Sequence, residues 1–278
     1  MESHGWYRLA PFRWSPDEAV LRRREVLDGR VVELEMRAEG DVLRVAASPV
    51  STDHSLPPRP PRSLDFARGD IGAGLQRRIA RMFQLHLDLA EFHALTRNSP
   101  AHQWVERSGF GRLLCAPTMW EDAVKIIATT NTMWSQTVRM IELLVAKCGR
   151  EGAFPSQADV LRFSAEELQR DCRLGYRAKS IHALAALDLE SFVDAGATTK
   201  EQYRLYQKLP GIGPYGAAHL LAMDGRHDFI AVDSEFRRFV RDTYHGGRKV
   251  TDAAMLRRYA KWGRWQYLAY WSDMWGRG

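Results

Sequence analysis

Apolar and polar residues alternate from Val31 to Ala47, VVELEMRAEGDVLRVAA, on either side of Glu39-Gly40-Asp41. A period of two puts one face of an extended chain against a core, and a short glycine-containing break between two such runs joins antiparallel strands. The pattern predicts a β-hairpin and, with it, antiparallel sheet in the N-terminal part. Residues 55–62, SLPPRPPR, carry four prolines in eight positions. Proline offers no N–H to a ladder and breaks helices, so this stretch reads as a loop beside the sheet.

From Leu75 onward the apolar spacing changes to the helical three-and-four. Thr118 with Glu121, Ser164 with Glu167 and Thr198 with Glu201 have capping-box spacing. Gly109, Gly149, Gly175 and Gly196 fall where apolar-periodic stretches end, as helix stops do. These signals predict about seven to nine helices. No fixed-length repeat is visible, which excludes a solenoid. The expected fold class is α+β, mostly α: an antiparallel β domain with its Pro-rich loop over residues 1–74, then a helical domain over 75–278.

Hydrophobic residues at 45% and charged residues at 27% exclude a disordered tail. No run approaches the roughly 18 apolar residues of a membrane span, and the start, MESHGWYRLAPFRW, lacks the basic-then-apolar layout of a secretory signal. A cytoplasmic protein without a membrane partner is expected, nucleoid-associated if bacterial. Cys115, Cys148 and Cys172 are widely separated and cannot supply the four thiolates of a structural zinc or an iron–sulfur cluster. They read as reduced or buried thiols. A net charge of +6 and a pI near 9.3 favour a polyanionic partner.

The most informative segment is Lys208 to Leu221, KLPGIGPYGAAHLL. Pro210, Gly211 and Gly213 force a tight turn between two helical stretches, a helix-hairpin-helix pattern. Glycine allows left-handed backbone and close approach of a phosphate, and the N-terminus of the following helix points its dipole at that anion. Such a turn grips a DNA backbone without reading sequence. Twenty residues past Gly213 stands Asp233, in FIAVDSEFRR. It can cap the helix beginning at Ser234, or return a carboxylate to the neighbourhood of the hairpin.

With this hairpin, its Gly/Pro loop and a downstream aspartate, the chain resembles the helix-hairpin-helix (HhH-GPD) DNA glycosylases. Within them it is similar to the 8-oxoguanine DNA glycosylase and 3-methyladenine DNA glycosylase II groups. The resemblance takes in residues 81–93 and 111–149, Leu174 to Ala183, LGYRAKSIHA, which resembles the 8-oxoguanine group's LGYRA segment, and Phe12-Arg13-Trp14. Residues 47–74 and 241–257 match poorly. It implies a two-lobed helical body with the β domain packed on it, and base excision repair: a damaged nucleotide is flipped out of double-stranded DNA and its N-glycosidic bond is cut by a monomeric enzyme.

Residue by residue, the resemblance makes Asp233 the catalytic carboxylate, which stabilises the positive charge that builds on the sugar or orients water. Asn131 matches the strand-intercalating asparagine, with a helix-end or N-cap role as the plainer alternative. Arg177 matches a contact to the opposite strand or a phosphate, with a surface salt bridge as the alternative. Lys208, Gly211 and Gly213 would meet phosphate. Gln266 and Tyr270 match residues lining the base pocket, although the four tryptophans from Trp262 onward are read as mostly core. The carbonyls of Gln207, Leu209 and Ile212 match positions that hold a structural sodium or potassium ion; no other cofactor is required.

Three positions depart from the 8-oxoguanine pattern. Tyr215 stands where bifunctional members carry the Schiff-base lysine, His219 replaces a pocket cysteine, and Leu9 stands in place of the glycine that reads the oxidised purine. An aromatic at position 215 is instead similar to the bacterial inducible 3-methyladenine glycosylase, where an electron-rich wall suits a cationic base. His219 either donates to a base edge or is a satisfied core histidine. The reading is a monofunctional glycosylase of damaged purines, alkylated bases favoured. The alternatives are an 8-oxoguanine-type or deaminated-base glycosylase, and a non-catalytic DNA-binding module.

Overall fold

A computed structural model of the chain describes residues 5–40, 42–50, 62–64 and 72–276, the backbone alone for 62–64. Five strands, β1 (Arg13–Ser15), β2 (Val20–Leu27), β3 (Arg30–Glu39), β4 (Val42–Pro49) and β5 (Arg62–Leu64), form an antiparallel meander in sequence order. The alternating run is the β3–β4 hairpin, with Leu34 opposite Ala47 and Met36 opposite Val45. Its turn residue Asp41 and residues 51–61 of the Pro-rich segment lie outside the described residues. The β2–β3 turn is Asp28-Gly29 with both φ positive (48° and 78°), the two-residue geometry that follows the twist of a hairpin.

The helices follow: α1 (Ala73–Met82), α2 (Ala90–Arg97), α3 (Trp104–Ser108), α4 (Met119–Thr129), α5 (Trp134–Cys148), α6 (Gln157–Val160), α7 (Ala165–Asp171), α8 (Arg177–Ala185), α9 (Thr199–Tyr206), α10 (Pro214–Met223), α11 (Ser234–His245), α12 (Asp252–Arg257) and α13 (Gln266–Trp275). Thirteen α-helices among the described residues exceed the seven to nine expected. Several are one or two turns long, too short for an apolar period to register. Among the described residues no helix is long and apolar enough to cross a membrane.

Ser164/Glu167 and Thr198/Glu201 form complete capping boxes, and a third stands at Ser156/Asp159. At α4 only half the box forms. Thr118 accepts from the Glu121 N–H, but the Glu121 side chain is drawn elsewhere. Gly109 and Gly149 end helices, whereas Gly175 and Gly196 sit in turns that precede one.

The chain forms two compact units, residues 1–82 with 116–187 and residues 83–115 with 188–278. In the first, Glu121 and Asp122 are both buried. Glu121 receives Arg23 of β2 at 2.9 Å and Lys125 at 2.6 Å. Arg23 also pairs with Glu25, which takes Arg78 of α1 at 2.9 Å. The Phe12 ring lies 4.4 Å from the Arg23 guanidinium and 4.6 Å from the Lys125 ammonium. Burial alone would raise the Glu121 pKa, but the two cations outweigh it and hold the carboxyl below its ordinary value. Asp122 accepts from the Trp6 indole and the Ala116 amide, each at 2.8 Å, and from Arg81 at 2.6 Å.

The second unit packs Leu89 and Phe92 of the loop and helix α2, Ala218 and Ala222 of α10, Phe236 of α11 and Leu268 of α13 into one apolar core. Gln84, fully buried with a φ of 48°, fastens it. Its oxygen accepts from the Leu113 amide at 2.8 Å, and its nitrogen donates to the carbonyls of Ala222 and Met223 at 2.7 and 3.1 Å. All three cysteines are buried, and none is joined in a disulfide among the described residues.

Removing one member of a buried ion cluster leaves an uncompensated charge. Glu121→Gln is expected to destabilise the protein by about 3–5 kcal/mol. The charge-balanced pair Glu121→Gln with Lys125→Met should lose less than the single change. Urea unfolding of the two variants checks both expectations.

Candidate functional site

The hairpin is built by contrast between its two helices. Helix α9, capped by Thr198, ends at Tyr206, because Pro210 cannot continue it. Leu209 and Ile212 are buried, and the Ile212 N–H donates to the Leu209 carbonyl at 3.1 Å, closing the turn. Gly211 has a φ of 79°, a conformation that favours glycine. Gly213 does not: as N-cap of α10 it has a φ of −91°, and a Cβ there would meet nothing within 4 Å. The two glycines expected to act alike therefore differ; only Gly211 is demanded by the backbone, while Gly213 leaves open space before the amides of α10. Pro214 occupies the first helical position, where its missing N–H is harmless. Lys208 is exposed beside the turn. The open first-turn amides and the helix dipole form a seat for an anion.

Tyr203 of α9 ties the hairpin to the strand-like segment that follows α10. Its hydroxyl donates to the Pro214 carbonyl at 3.2 Å, and its ring stacks on Phe229 at 4.5 Å with the planes 1° apart. Ile230 and Ala231 are buried and carry the chain to Asp233. Both sequence readings of that residue can coexist, since Asp233 does cap α11: Oδ1 accepts from the Phe236 N–H at 2.7 Å. Burial raises its pKa above the ordinary aspartate value, and the Phe236 N–H opposes that rise. The carboxyl is thus half-buried and held at a helix N-terminus, which favours its charged form.

An aromatic wall stands in the same unit. Tyr215 and His219, one turn apart on α10, meet edge to face at 5.5 Å, and His219 meets Tyr267 of α13 at 6.1 Å. Tyr270 sits edge to face on Phe236 at 5.1 Å, the residue whose amide Asp233 caps. Burial first, and the Asp233 charge second, push the Tyr270 hydroxyl up; burial dominates at Tyr267, to which Tyr215, Tyr270 and Asp233 add. Burial lowers His219 to about 4, so it is neutral at pH 7. Tyr215 is half-buried. Gln266 opens α13 and its amide donates to the Asp228 carbonyl at 3.1 Å. Asp233, Tyr215, Tyr267 and Tyr270 form one electrostatic neighbourhood, which His219 joins through ring contacts with Tyr215 and Tyr267. Gln266 is fastened instead to the loop that leads there.

Asn131 and Arg177 belong to the other unit. Asn131 lies in the turn between α4 and α5 with a φ of 46°, exposed, and outside either cap, which are Thr130 and Met133. Arg177 makes no salt bridge among the described residues. Only 7% exposed, it donates to the carbonyls of Thr130 and, at 3.3 Å, Asn131. Its guanidinium lies over the Tyr176 ring at 4.7 Å, and the Tyr176 hydroxyl accepts from the Asn131 amide at 3.4 Å. The arginine thus shapes the turn that presents Asn131. Sequence reasoning passed over Tyr176, 60% exposed, and Met133, 69% exposed, beside that turn. Tyr176 stands inside the Leu-Gly-Tyr-Arg segment, so the signal was present. Tyr267 was also missed, next to Gln266.

No group of histidine, cysteine and carboxylate side chains among the described residues could hold a metal ion. At the hairpin, the carbonyls of Gln207 and Ile212 accept no backbone N–H outside the helices, whereas that of Leu209 accepts one. Hard oxygen donors of this kind fit a monovalent cation.

A sequence profile described as "HhH-GPD superfamily base excision DNA repair protein" matches residues 124–264. No curated protein matches the chain. Among solved structures it is similar to the 3-methyladenine DNA glycosylase from Archaeoglobus fulgidus, with 19% identity over 100% of this chain and 92% of that one and a TM-score of 0.71. It is similar to MBOgg1, solved with a low-affinity DNA ligand, with 20% identity over 99% and 90% and a TM-score of 0.69. It is also similar to the apo form of the Clostridium acetobutylicum 8-oxoguanine glycosylase/lyase, with 14% identity over 96% and 89% and a TM-score of 0.68.

The buried histidine makes stability depend on pH. Folded His219 refuses the proton that the unfolded chain accepts near 6.5, so acid favours unfolding. Stability should fall as pH drops from 6.5 toward about 4, by about 3 kcal/mol for this residue. His227, lowered by burial to about 3, should add to the same slope. Denaturation between those limits should show a flatter slope in His219→Leu.

Proposed function

The chain belongs to the HhH-GPD superfamily of base excision DNA repair proteins, and on that premise we propose that it is a monofunctional DNA N-glycosylase that removes a damaged purine, an alkylated base for preference. The observation that carries this reading is the half-buried Asp233 carboxylate near Tyr215 and Tyr270, with His219 against the Tyr215 ring. Breaking the N-glycosidic bond sends its electron pair to the departing base and leaves positive charge on the sugar. The Asp233 carboxylate stabilises that charge, and water completes the substitution at the anomeric carbon. The electron-rich ring faces favour a cationic alkylated base, and neutral His219 serves as a hydrogen-bonding edge.

The remaining residues bind double-stranded DNA that contains the damaged base. The hairpin amides, Gly211, Gly213 and Lys208 take backbone phosphates, with a sodium or potassium ion on the carbonyls of Gln207, Leu209 and Ile212 in a structural role. Asn131 fills the space left by the flipped nucleotide, and Arg177 holds it ready. Gln266 and Tyr270 line the base pocket. The enzyme acts as a monomer.

Duplexes carrying one alkylated, oxidised or deaminated purine, treated with the protein and then alkali, distinguish the substrates. Release of the alkylated base is expected, and release of 8-oxoguanine alone would replace that preference. No release from any duplex would leave a DNA-binding module. Asp233→Asn, which keeps the cap, should lower release by about 10²–10³-fold while DNA affinity holds. Tyr215 offers no amine, so borohydride should trap no covalent adduct. In a separate comparison, Asn131→Ala should slow release from duplex more than from single strands, because only a stacked helix must be held open.

A further inference from the structure

At the end of α11 remote from Asp233, about 18 Å along the helix axis, lies a cavity of about 410 Å³. Its wall comes from residues 244–262, of which 244–257 lie in the stretch that resembles the known glycosylases poorly, and from His102 and Asp273. None of the groups assigned to base excision lines it.

The charges around this cavity are arranged unlike those on the rest of the helix. Elsewhere along α11, Arg237 is paired with Asp252 at 2.8 Å, Arg241 with Asp242 at 2.7 Å, and Arg238 with Glu235. Arg264 is paired with Glu91. In the cavity, the side chains of Arg257 and His245 make no hydrogen bond or ion pair among the described residues. Lys261 only leans on the Trp262 ring at 5.9 Å. Asp273, the one carboxylate of the wall, is already engaged: the hydroxyls of Tyr259, at 2.9 Å, and Tyr244 donate to it, and Arg258 stands 4.0 Å away. Arg258 itself lies flat over the Tyr244 ring at 3.0 Å.

Three permanent cations against one occupied carboxylate leave the side chains of the cavity two positive charges in excess, reduced by the partial negative charge of about half a unit at the C-terminal end of α11, with a guanidinium fork, an ammonium and an imidazole all open to a ligand. We propose that this cavity is a binding site for a dianionic phosphate group, held by Arg257, Lys261 and His245. The charge excess matches a phosphomonoester, which carries about −1.5 to −2 at neutral pH. A backbone phosphodiester carries a single charge. A volume of about 410 Å³ admits a phosphorylated small molecule and falls within the range of ligand cavities.

Calorimetric titration of the full chain in chloride buffer tests this, with inorganic phosphate, adenosine 5′-monophosphate and adenosine as probes. Phosphate or the nucleotide should bind one per chain, and adenosine should not. If both anions bind, the free ion suffices; if only the nucleotide binds, the rest of the molecule contributes. Arg257→Gln with Lys261→Gln, both exposed positions, should weaken that binding by about tenfold or more. Lys249→Gln, on the nearby exposed turn, should not. Affinity of the double variant for an undamaged duplex should stay within about twofold of wild type. The proposal fails if neither anion binds, if binding survives in the double variant, or if Lys249→Gln weakens it equally. It also fails if duplex affinity falls in parallel, which would make the cavity part of the DNA surface.

Discussion

Two adjacent carboxylates in the first turn of α4, Glu121 and Asp122, hold the first unit together. Neighbouring residues on a helix point in different directions, so the pair reaches separate partners: Glu121 takes the sheet through Arg23, and Asp122 takes the N-terminal segment through Trp6 and α1 through Arg81. A buried carboxylate is tolerable only when every lone pair has a donor, and here the donors are distributed over the elements that must be joined. Residues 120–128 are almost wholly buried as a result. Fixed at that end, α4 delivers Thr130 and Asn131 at its other end to a defined place, where the Arg177 guanidinium completes the turn.

Asp233 is subject to a comparable double demand. Its cap bond to Phe236 fixes the side chain, so that in the proposed reaction no reorientation is required. Burial raises the Asp233 pKa, and the Phe236 amide of α11 acts in the opposite sense. The same apolar packing around Phe236 and Tyr270 thus dries the carboxylate and positions it.

What could be read from the sequence was local. The β3–β4 hairpin announced itself by alternation, the α9–α10 turn by Pro210 and Gly211, and the cap at Asp233 by residue type. Each depends on a few neighbouring positions and on backbone geometry that only certain residues allow. The rest depended on partners distant in sequence. Glu121 had capping-box spacing, but the competing attraction of two buried cations took its side chain. Arg177 carried a charge that suggested surface or phosphate contact, and instead satisfies carbonyls 46 and 47 residues away. Gln84 gave no signal whatever, because its three bonds reach the far ends of its own unit.

The interleaved division of the chain has a consequence for synthesis. Residues 1–82 and 116–187 can complete their unit as soon as residue 187 has left the ribosome. Residues 83–115 emerge earlier than much of that unit, yet Leu89, Phe92 and Val105 have core partners such as Ala218, Phe236 and Trp265 that do not exist until the last third of the chain is made. For that interval an apolar segment hangs as a loop from an otherwise finished fold, open to chaperones and to aggregation. Completion of the second unit then waits for the carboxy-terminal third, which also holds Asp233.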